Sequence, residues 1–353
     1  MKKTILSLLF LPAVIAGYAQ TSDSIPERAV IVSGDPSHPD HVGNVALMYS
    51  RANLAFEDPA APRFLFLDKK GAVALGIGGY VKAVGEYDFC GAVPNNDFYT
   101  NMIPVPFDPA QRQRFGATAA NSTIFLKLVT RQTKVGRIIV YVQTNFTGDN
   151  GGYGLKLKQA YVTVGHVTVG KARSTFADGP AMAPTIDEGP SGQTAAKNMM
   201  VKYESPSYGG FSYAISAELP SADYTFAADT RSISQRFPDI PAHIQYAWDK
   251  GDSHIRLSGI LRQLSYRDEA GAGSNHFATG WGVQVSTIAN IAGGLNFFGH
   301  YTYGKGIADY INDLSGEGYD LIPDGPDRLK APAGTGWTAG LQYNFTKDFF
   351  MSA

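Results

Sequence analysis

The chain has 353 residues, a formal net charge of −1 at pH 7 and a single cysteine, Cys90. A charge this close to zero does not favour nucleic acid or any strongly charged partner, and one cysteine cannot form an internal disulfide. The chain is rich in Tyr, Phe and Gly, with 19, 20 and 39 residues, yet after the N-terminus no stretch approaches the roughly 20 apolar residues of a helical membrane span. Any residence in a membrane must therefore be through strands.

The N-terminus has the pattern of a secretory signal. Lys2 and Lys3 precede an apolar run that ends at Ile15, and a small-residue cleavage pattern ends at Ala19. Such a segment is removed on export, so residues 1–19 are predicted to be a signal peptide outside the fold. Residues 20–70 are turn-rich and include NVALMYSRANLAF, which suits a short amphipathic helix. We interpret residues 20–70 as a periplasmic N-terminal segment, with docking between subunits as the alternative.

Residues 71–353 show about thirteen segments in which apolar and polar residues alternate. In one of them Leu126 and Leu128 alternate with Lys127 and Val129. A soluble sheet would place the apolar face in a core. A barrel in a membrane would place it on lipid, with the polar face around a wet lumen.

The lengths of the connections decide between these alternatives. Short connections are predicted at Gln132–Gly136, Gly165–His166, Pro206–Gly210, Asp249–Ser253, Ile288–Gly293 and Thr346–Asp348. Long ones are predicted at Gly91–Arg114, Thr147–Gly152, Ser174–Ala196, Pro220–Asp239, Arg267–Asn275 and Lys305–Gly334. Short and long connections alternate, as in an outer-membrane barrel with periplasmic turns at one rim and extracellular loops at the other. The pattern predicts an all-β, antiparallel transmembrane β-barrel over residues 71–353.

The strand number is predicted to be even, because an open edge in lipid would leave backbone groups unpaired. The chain stops just inside the last visible segment. We therefore expect one to three further strands to be missing from the C-terminus of this sequence, and about sixteen strands in the complete barrel.

Three segments resemble the DcaP-like porins of Gram-negative outer membranes. They are GIGGYVKAVGEYDF (Gly76–Phe89), KLKQAYVTVG (Lys156–Gly165) and TVGKARSTFADGPAMAPTIDEGP (Thr168–Pro190), of which the last is the most specific. The resemblance implies a trimeric porin of about sixteen strands that passes anions such as dicarboxylates, with its third long loop folded into the pore. It implies small anionic solutes, outer-membrane lipid and lipopolysaccharide as partners, and no cofactor. The chain departs from the family in lacking a long coiled-coil extension before the barrel.

Alternation assigns more cations than carboxylates to the lumen. The candidate pore-lining cations are Lys82, Lys127, Arg131, Arg137, Lys156, Lys158, Lys202, Arg256 and Arg262. The carboxylates that share their face are Glu86, Asp88, Glu204 and Glu218. A ring of cations lowers the energy of a partly dehydrated anion, so the lumen is predicted to prefer anions. Arg131, Arg137 and Arg256 lie near short turns, where we expect them to anchor the periplasmic rim.

The loop from Ser174 to Ala196 is predicted to constrict the pore. Its prolines stiffen it, and Asp178, Asp187 and Glu188 are expected to face the basic wall, although a solvated surface loop is the alternative. Lys171 and Arg173 lie where the strand becomes the loop, and alternation does not fix their direction.

Other functions receive weaker support. GPSGQTAAK (Gly189–Lys197) lacks the residue order of a phosphate-binding loop, and no nucleophile, base and orienting group are evident. The acidic stretch Asp309–Asp327 lacks the spacing of a calcium-binding loop and is expected to be a solvated extracellular loop. A barrel enzyme of the protease or lipase type and a structural or adhesive barrel remain the alternatives to a pore.

Overall fold

A computed structural model describes residues 29–34, 39–48, 62–89, 103–148, 152–182, 192–346 and 349–353. The predicted signal peptide, Cys90, Asp187 and Glu188 lie outside these ranges. In the part of the chain that the model describes, no helix is long and apolar enough to cross a membrane.

The described chain consists almost entirely of strands. One α-helix, α1 (Pro39–Met48), follows the first strand, and short 3₁₀ turns lie at Pro109–Gln111, Asp249–Gly251 and Ala308–Tyr310. The strands are β1 (Val30–Ser33), β2 (Phe64–Leu67), β3 (Val73–Tyr80), β4 (Val84–Asp88), β5 (Arg114–Thr118), β6 (Thr123–Thr130), β7 (Ile138–Asn145), β8 (Lys156–Val164), β9 (Val167–Arg173), β10 (Lys197–Glu204), β11 (Phe211–Glu218), β12 (Thr230–Ser232), β13 (Ile240–Trp248), β14 (Ser253–Asp268), β15 (Ser274–Ala292), β16 (Leu295–Lys305), β17 (Ile322–Pro323), β18 (Leu329–Lys330), β19 (Ala333–Asn344) and β20 (Phe350–Ser352).

One sheet of 16 strands contains nearly all of them. Its pairing order is β1, β2, β3, β6 to β11, β13 to β16, β19 and β20, with β12 added beside β14. Neighbours run antiparallel except for β1 and β2, which are parallel. Two-stranded ladders, β4 with β5 and β17 with β18, belong to connections outside this sheet. The antiparallel, neighbour-to-neighbour order confirms the predicted fold class.

The two faces of the sheet show why it is a barrel wall rather than half of a soluble sandwich. On β14, Leu257 and Leu261 are 54% and 63% exposed, whereas Ser258 and Arg262 between and beside them are 2% and 3% exposed. A soluble protein buries the apolar face and exposes the polar one. Here the exposed face is the apolar one, as lipid contact requires. We call the apolar face outer and the polar face inner.

The inner face is covered by connections that reach across the sheet. The loop between β9 and β10, residues 174–196, contacts inner residues of β13, β14, β15 and β16. Five strands separate β10 from β19 in the pairing order, yet Gly192 of this loop also lies against the backbone of Gly336 and Trp337 on β19. The sheet is therefore curled around the loop.

Several predicted boundaries differ from the structure. The connection predicted at Arg267–Asn275 is a five-residue turn, residues 269–273, because β14 and β15 extend for 16 and 19 residues. The turn predicted at Ile288–Gly293 is shorter for the same reason, since β15 continues to Ala292. The sheet also begins before residue 71, because β2 pairs with β3.

Candidate functional site

The inner face of β13 to β16 and β19, which we call the C-terminal wall, holds its main cation in a buried network. Arg262 Nε lies 3.0 Å from Asp239 Oδ2, and its Nη1 lies 2.8 Å from Asp320 Oδ1. All three side chains are fully buried. Arg262 also donates to the backbone oxygens of Gly306 and Ser221. A buried guanidinium with two carboxylates is compensated, so Arg262 offers no open charge to a passing anion.

The carboxylates of this network come from connections that fold inward. Asp239 ends the loop between β11 and β13, residues 219–239, and Asp320 lies in the loop between β16 and β19, residues 306–332. Tyr310 of the second loop donates to Asp239 Oδ2 at 2.9 Å. Burial raises the pKa of the Tyr310 phenol well above its ordinary value, so the phenol stays a donor at neutral pH.

Apolar packing holds the same loops against the wall. Ile307, Tyr310 and Ile311 pack with Phe176 and Ile260. A second cluster joins Leu321 and Leu329 to Leu264, Tyr224 and Tyr266. The acidic stretch Asp309–Asp327 is thus not a solvated loop, contrary to prediction, because its apolar residues are buried inside the barrel and Asp320 binds Arg262.

A second network anchors the start of the β9–β10 loop. Asp178 Oδ2 accepts from His254 Nε2 at 2.8 Å and from Ser286 Oγ at 2.5 Å, and its Oδ1 lies 3.4 Å from Arg256 Nη1. Burial alone would raise the pKa of Asp178, but the hydrogen bond from His254 and the charge of Arg256 outweigh it and hold the pKa well below its ordinary value. Asp178 is therefore ionised and bound. It faces the wall as predicted, but it is only 3% exposed.

The end of the β9–β10 loop is fixed by neutral polar groups. Thr194 donates to Gln284 Oε1 at 2.6 Å, and Thr302 donates to the same oxygen. His300 Nε2 lies 2.9 Å from the backbone oxygen of Gly192. Both described ends of the loop, residues 174–178 and 192–194, therefore lie on the inner face of the barrel.

The inner face of β3 and β6 to β9, which we call the N-terminal wall, differs in charge. These five strands contain lysines but no Asp or Glu. Lys156 is exposed and pairs across the sheet with Asn145, an inner residue. The register shifts so that Gln159 pairs with Gln143 and Leu157 with Thr144, which leaves Lys158 as the extra residue of a β-bulge. The bulge returns Lys156 to the inner face although Val162 and Val164 of the same parity face outward.

Lys127 and Arg137 of this wall contact α1 rather than open lumen. Lys127 Nζ donates to the backbone oxygen of Leu47 at 2.9 Å, and Arg137 Nη1 donates to Asn44 Oδ1 at 2.8 Å. Lys127 was predicted to lie on the permeation path. Its ammonium group instead lies at the C-terminal end of α1, where the unpaired carbonyl groups of the helix favour a cation.

The other predicted site residues differ in their exposure and in the face of the sheet on which they lie. Lys82 follows β3 and is half-buried, and Arg131 is exposed in the turn after β6. Lys171 pairs with Met199 in line with the exposed residues Val169 and Val201, so it faces outward and not into the constriction. Arg173 ends β9 and lies beside the loop, with Nη1 3.1 Å from Met182 Sδ. Arg256, expected at the periplasmic rim, also binds Gln245 through two nitrogens.

Sequence reasoning did not identify Asp239, Asp320 and Tyr310 as lumen residues. Glu218 was predicted to face the lumen, but its contacts were not predicted. It accepts hydrogen bonds from the backbone nitrogen of Thr175 at 2.8 Å and from Asn198 Nδ2 at 3.1 Å. One sequence signal was available for the missed loop. Ile307, Tyr310, Ile311 and Leu321 are apolar residues of the kind that a solvated loop does not need.

A family model and one solved channel agree with this architecture. A family model described as "Porin subfamily" matches residues 75–351. The solved outer membrane channel DcaP of Acinetobacter baumannii aligns with a TM-score of 0.65 at 18% identity, covering 79% of this chain and 77% of that chain. The anion-selective porin from Comamonas acidovorans aligns with a TM-score of 0.36 at 14% identity, covering 78% and 85%. OpdQ of Pseudomonas aeruginosa gives 0.31 at 14% identity, covering 78% and 76%. No curated protein sequence matches the chain.

Proposed function

Since the chain belongs to the porin family and has the fold of the DcaP channel, we propose that this outer-membrane channel passes small anions along its N-terminal wall. The solutes that fit best are hydrophilic carboxylates, including dicarboxylates, which two separated ammonium groups can contact together. Passage is passive, and the protein needs no cofactor for it.

The charge of the N-terminal wall is the observation that carries this proposal. Lys156 and Lys158 lie on β8, one of the five strands of this wall that contain no carboxylate, and Lys156 is exposed. The arginines of the C-terminal wall, in contrast, are already bound to Asp178, Asp239 and Asp320. A carboxylate about 4 Å from an ammonium gains about 1 kcal/mol in water and several times that in a partly dehydrated pore. The exposed ammonium of Lys156 can offer such a gain, whereas Arg256 and Arg262 would first have to give up a carboxylate partner.

The inward loops complete the proposed pathway. Both described ends of the β9–β10 loop are bound to the C-terminal wall, which favours passage of solutes on the side that carries Lys156. The sorting of long and short connections to opposite rims gives the channel an extracellular and a periplasmic opening. In this proposal the signal peptide directs export of the protein and is then cleaved. The mature protein assembles as a homotrimer. A detergent-solubilised mass equal to one barrel would contradict the trimer.

Reversal potentials in a salt gradient test the selectivity. Lys156→Gln with Lys158→Gln should lower the chloride-to-potassium permeability ratio several-fold at low salt, and less at high salt because screening weakens the field. Lys134→Gln is the matched control, since Lys134 is an exposed lysine in the turn between β6 and β7. An unchanged ratio in the double variant would refute the proposed pathway. Absence of conductance in the wild-type protein would favour a structural barrel instead.

A further inference from the structure

Helix α1 lies on the inner face of the N-terminal wall, and the proposed pathway does not use it. Val45 and Met48 of α1 pack against Leu65, Leu67, Ala74 and Val129, which come from β2, β3 and β6. Ala74 and Val129 share the inner face with Lys127. Val129 is next to the last residue of β6 before its short turn, so α1 lies near the periplasmic end of the lumen.

Polar contacts hold α1 at both ends and in the middle. His41 Nε2 lies 2.6 Å from the backbone oxygen of Asp68 near the start of the helix, and Lys127 binds Leu47 near its end. Asn44 lies between them and accepts from Arg137. His41, Asn44 and Val45 are at most 1% exposed. A helix with buried polar residues that are bound to the wall is docked in one position.

The wall is shaped to receive the helix. Gly76 on β3 faces α1, and a Cβ added there would lie 3.0 Å from Met48 Sδ and 2.7 Å from Pro62 Cβ. A side chain at this position would collide with Pro62 and would press against the Met48 side chain of the helix. The opposite side of α1 is different, because Asp40 and Ala46 are exposed. One side of the helix therefore faces the wall and the other faces the lumen.

An α-helix with its side chains is about 10 Å wide, which is a large fraction of a barrel lumen of this size. We propose that α1 is a constriction at the periplasmic end of the channel and sets the largest solute that can leave it. Lys127 is then a positioning residue that fixes the helix. The inference rests on the proposed channel function, but it concerns solute size rather than charge.

The size of the pore separates this role of Lys127 from a role as an open pore cation. Lys127→Met removes the cap of α1, and Val45→Ser weakens its apolar docking without changing any charge. Both variants should admit neutral polyethylene glycols that the wild-type channel excludes, and should raise single-channel conductance. Lys156→Met is the control, because it removes a lumen charge that α1 does not contact, and it should leave the excluded polymer size unchanged.

A variant that leaves the docking intact tests the location directly. In a Cys90→Ser background, Ala46→Cys places a thiol on the exposed side of α1. A bulky thiol reagent should lower its conductance in steps, one for each modified barrel, whereas the same reagent on Lys134→Cys, in the β6–β7 turn, should not.

Two results would overturn the constriction, and a third would refute the channel function on which it rests. Unchanged polymer exclusion in Lys127→Met and Val45→Ser, with full conductance after modification of Ala46→Cys, would overturn the constriction. A change of selectivity without a change of size in Lys127→Met would also overturn it. A wild-type protein that does not conduct would refute the channel function itself.

Discussion

The two walls of the lumen both carry cations on their inner faces, yet they differ in what lies opposite these cations. On the C-terminal wall, Arg256 and Arg262 meet carboxylates that loops bring from outside the sheet. On the N-terminal wall, Lys127 and Arg137 bind a helix, and Lys156 is exposed. A count of lumen cations does not reveal this difference. The field in the pore depends on which cations have carboxylate partners.

The difference also separates two ways of filling a barrel. Loops cover the C-terminal wall through apolar clusters and buried ion pairs, so that side of the lumen is structural. Helix α1 covers the periplasmic end of the N-terminal wall, through an apolar cluster and hydrogen bonds that include those of Lys127 and Arg137. We therefore expect substitutions on the C-terminal wall to loosen the packing of the loops. Substitutions on the N-terminal wall should instead change the permeation of solutes.

The largest effect is expected from breaking the Arg262 network. Asp320→Ala leaves a buried guanidinium with one carboxylate, and loss of a partner in a buried pair costs about 3–5 kcal/mol. The loop of residues 306–332 should undock, with backbone hydrogen exchange faster by about a hundredfold or more. The control is Asp324→Ala in the same loop, whose partner Lys330 lies at 2.8 Å with both side chains about half exposed. Such surface pairs contribute about 0–1 kcal/mol, so exchange should hardly change.

Equal exchange in the two variants would contradict the buried network. It would mean that the apolar clusters around Leu321 and Leu329 hold the loop without help from Arg262. The C-terminal wall would then carry an arginine whose charge is not needed for loop docking.

A smaller effect is expected from acid. The pKa of Asp178 is depressed in the folded protein, so its contribution to loop docking is complete above its ordinary value of 3.8 and is lost as the pH falls toward its folded value. The β9–β10 loop should stay docked at pH 5 and loosen below about pH 4. Single-channel noise at pH 5 and pH 3 measures this, because an undocked loop blocks the pore intermittently.

The variant Asp178→Asn isolates the contribution of this carboxyl. It keeps the shape of the side chain but has no charge to titrate beside His254 and Arg256. Its noise should already be raised at pH 5 and should change less between the two pH values. Identical pH profiles for wild type and variant would assign the acid response to other carboxyls.

Much of the barrel can be predicted from the sequence because the features that indicate it are local properties of the chain. Alternation of period two and the sorting of connection lengths need no knowledge of distant residues, and the antiparallel barrel that they predict is confirmed. The DcaP-like resemblance rests on three sequence segments instead, and the family match and the solved DcaP channel confirm it. Strict alternation is interrupted within β8, where the β-bulge at Lys158 places Lys156 and Val162 on opposite faces although they have the same parity. It also misplaced the ends of β14 and β15, whose polar ends continue the ladder beyond the apolar band.

The site was harder to predict because its contacts join distant parts of the chain. Lys127 and Leu47 are 80 residues apart, and Arg262 and Asp320 are 58 apart. Alternation gives the direction of a side chain, and for Lys127 and Arg262 the inward direction is the one observed. It does not give the partner, which depends on how a loop or helix folds over the wall. Lys171 shows the limit at a strand end, where pairing with Met199 turns it outward.

The smallest effect, and the sharpest test of the two walls, comes from adding one carboxylate to each. Gln143 on β7 accepts from Gln159 Nε2 at 2.9 Å in the row where the bulge places Lys158. Gln245 on β13 accepts from Arg256 at 2.9 Å and 2.6 Å. Gln143→Glu and Gln245→Glu are nearly isosteric, and a glutamate can accept the same hydrogen bonds, so both barrels should keep their packing.

Their effects on selectivity should differ because the two added charges meet different neighbours. Near Lys158, a carboxylate should cancel about 1 kcal/mol of attraction for a passing anion, and the chloride-to-potassium ratio should fall about fivefold at low salt. Near Arg256, the added charge lies beside a guanidinium that already faces Asp178 under the β9–β10 loop, so reversal potentials should shift much less. Equal shifts in the two variants would mean that ions pass both walls alike, and that the pairing of cations with loop carboxylates does not decide the path.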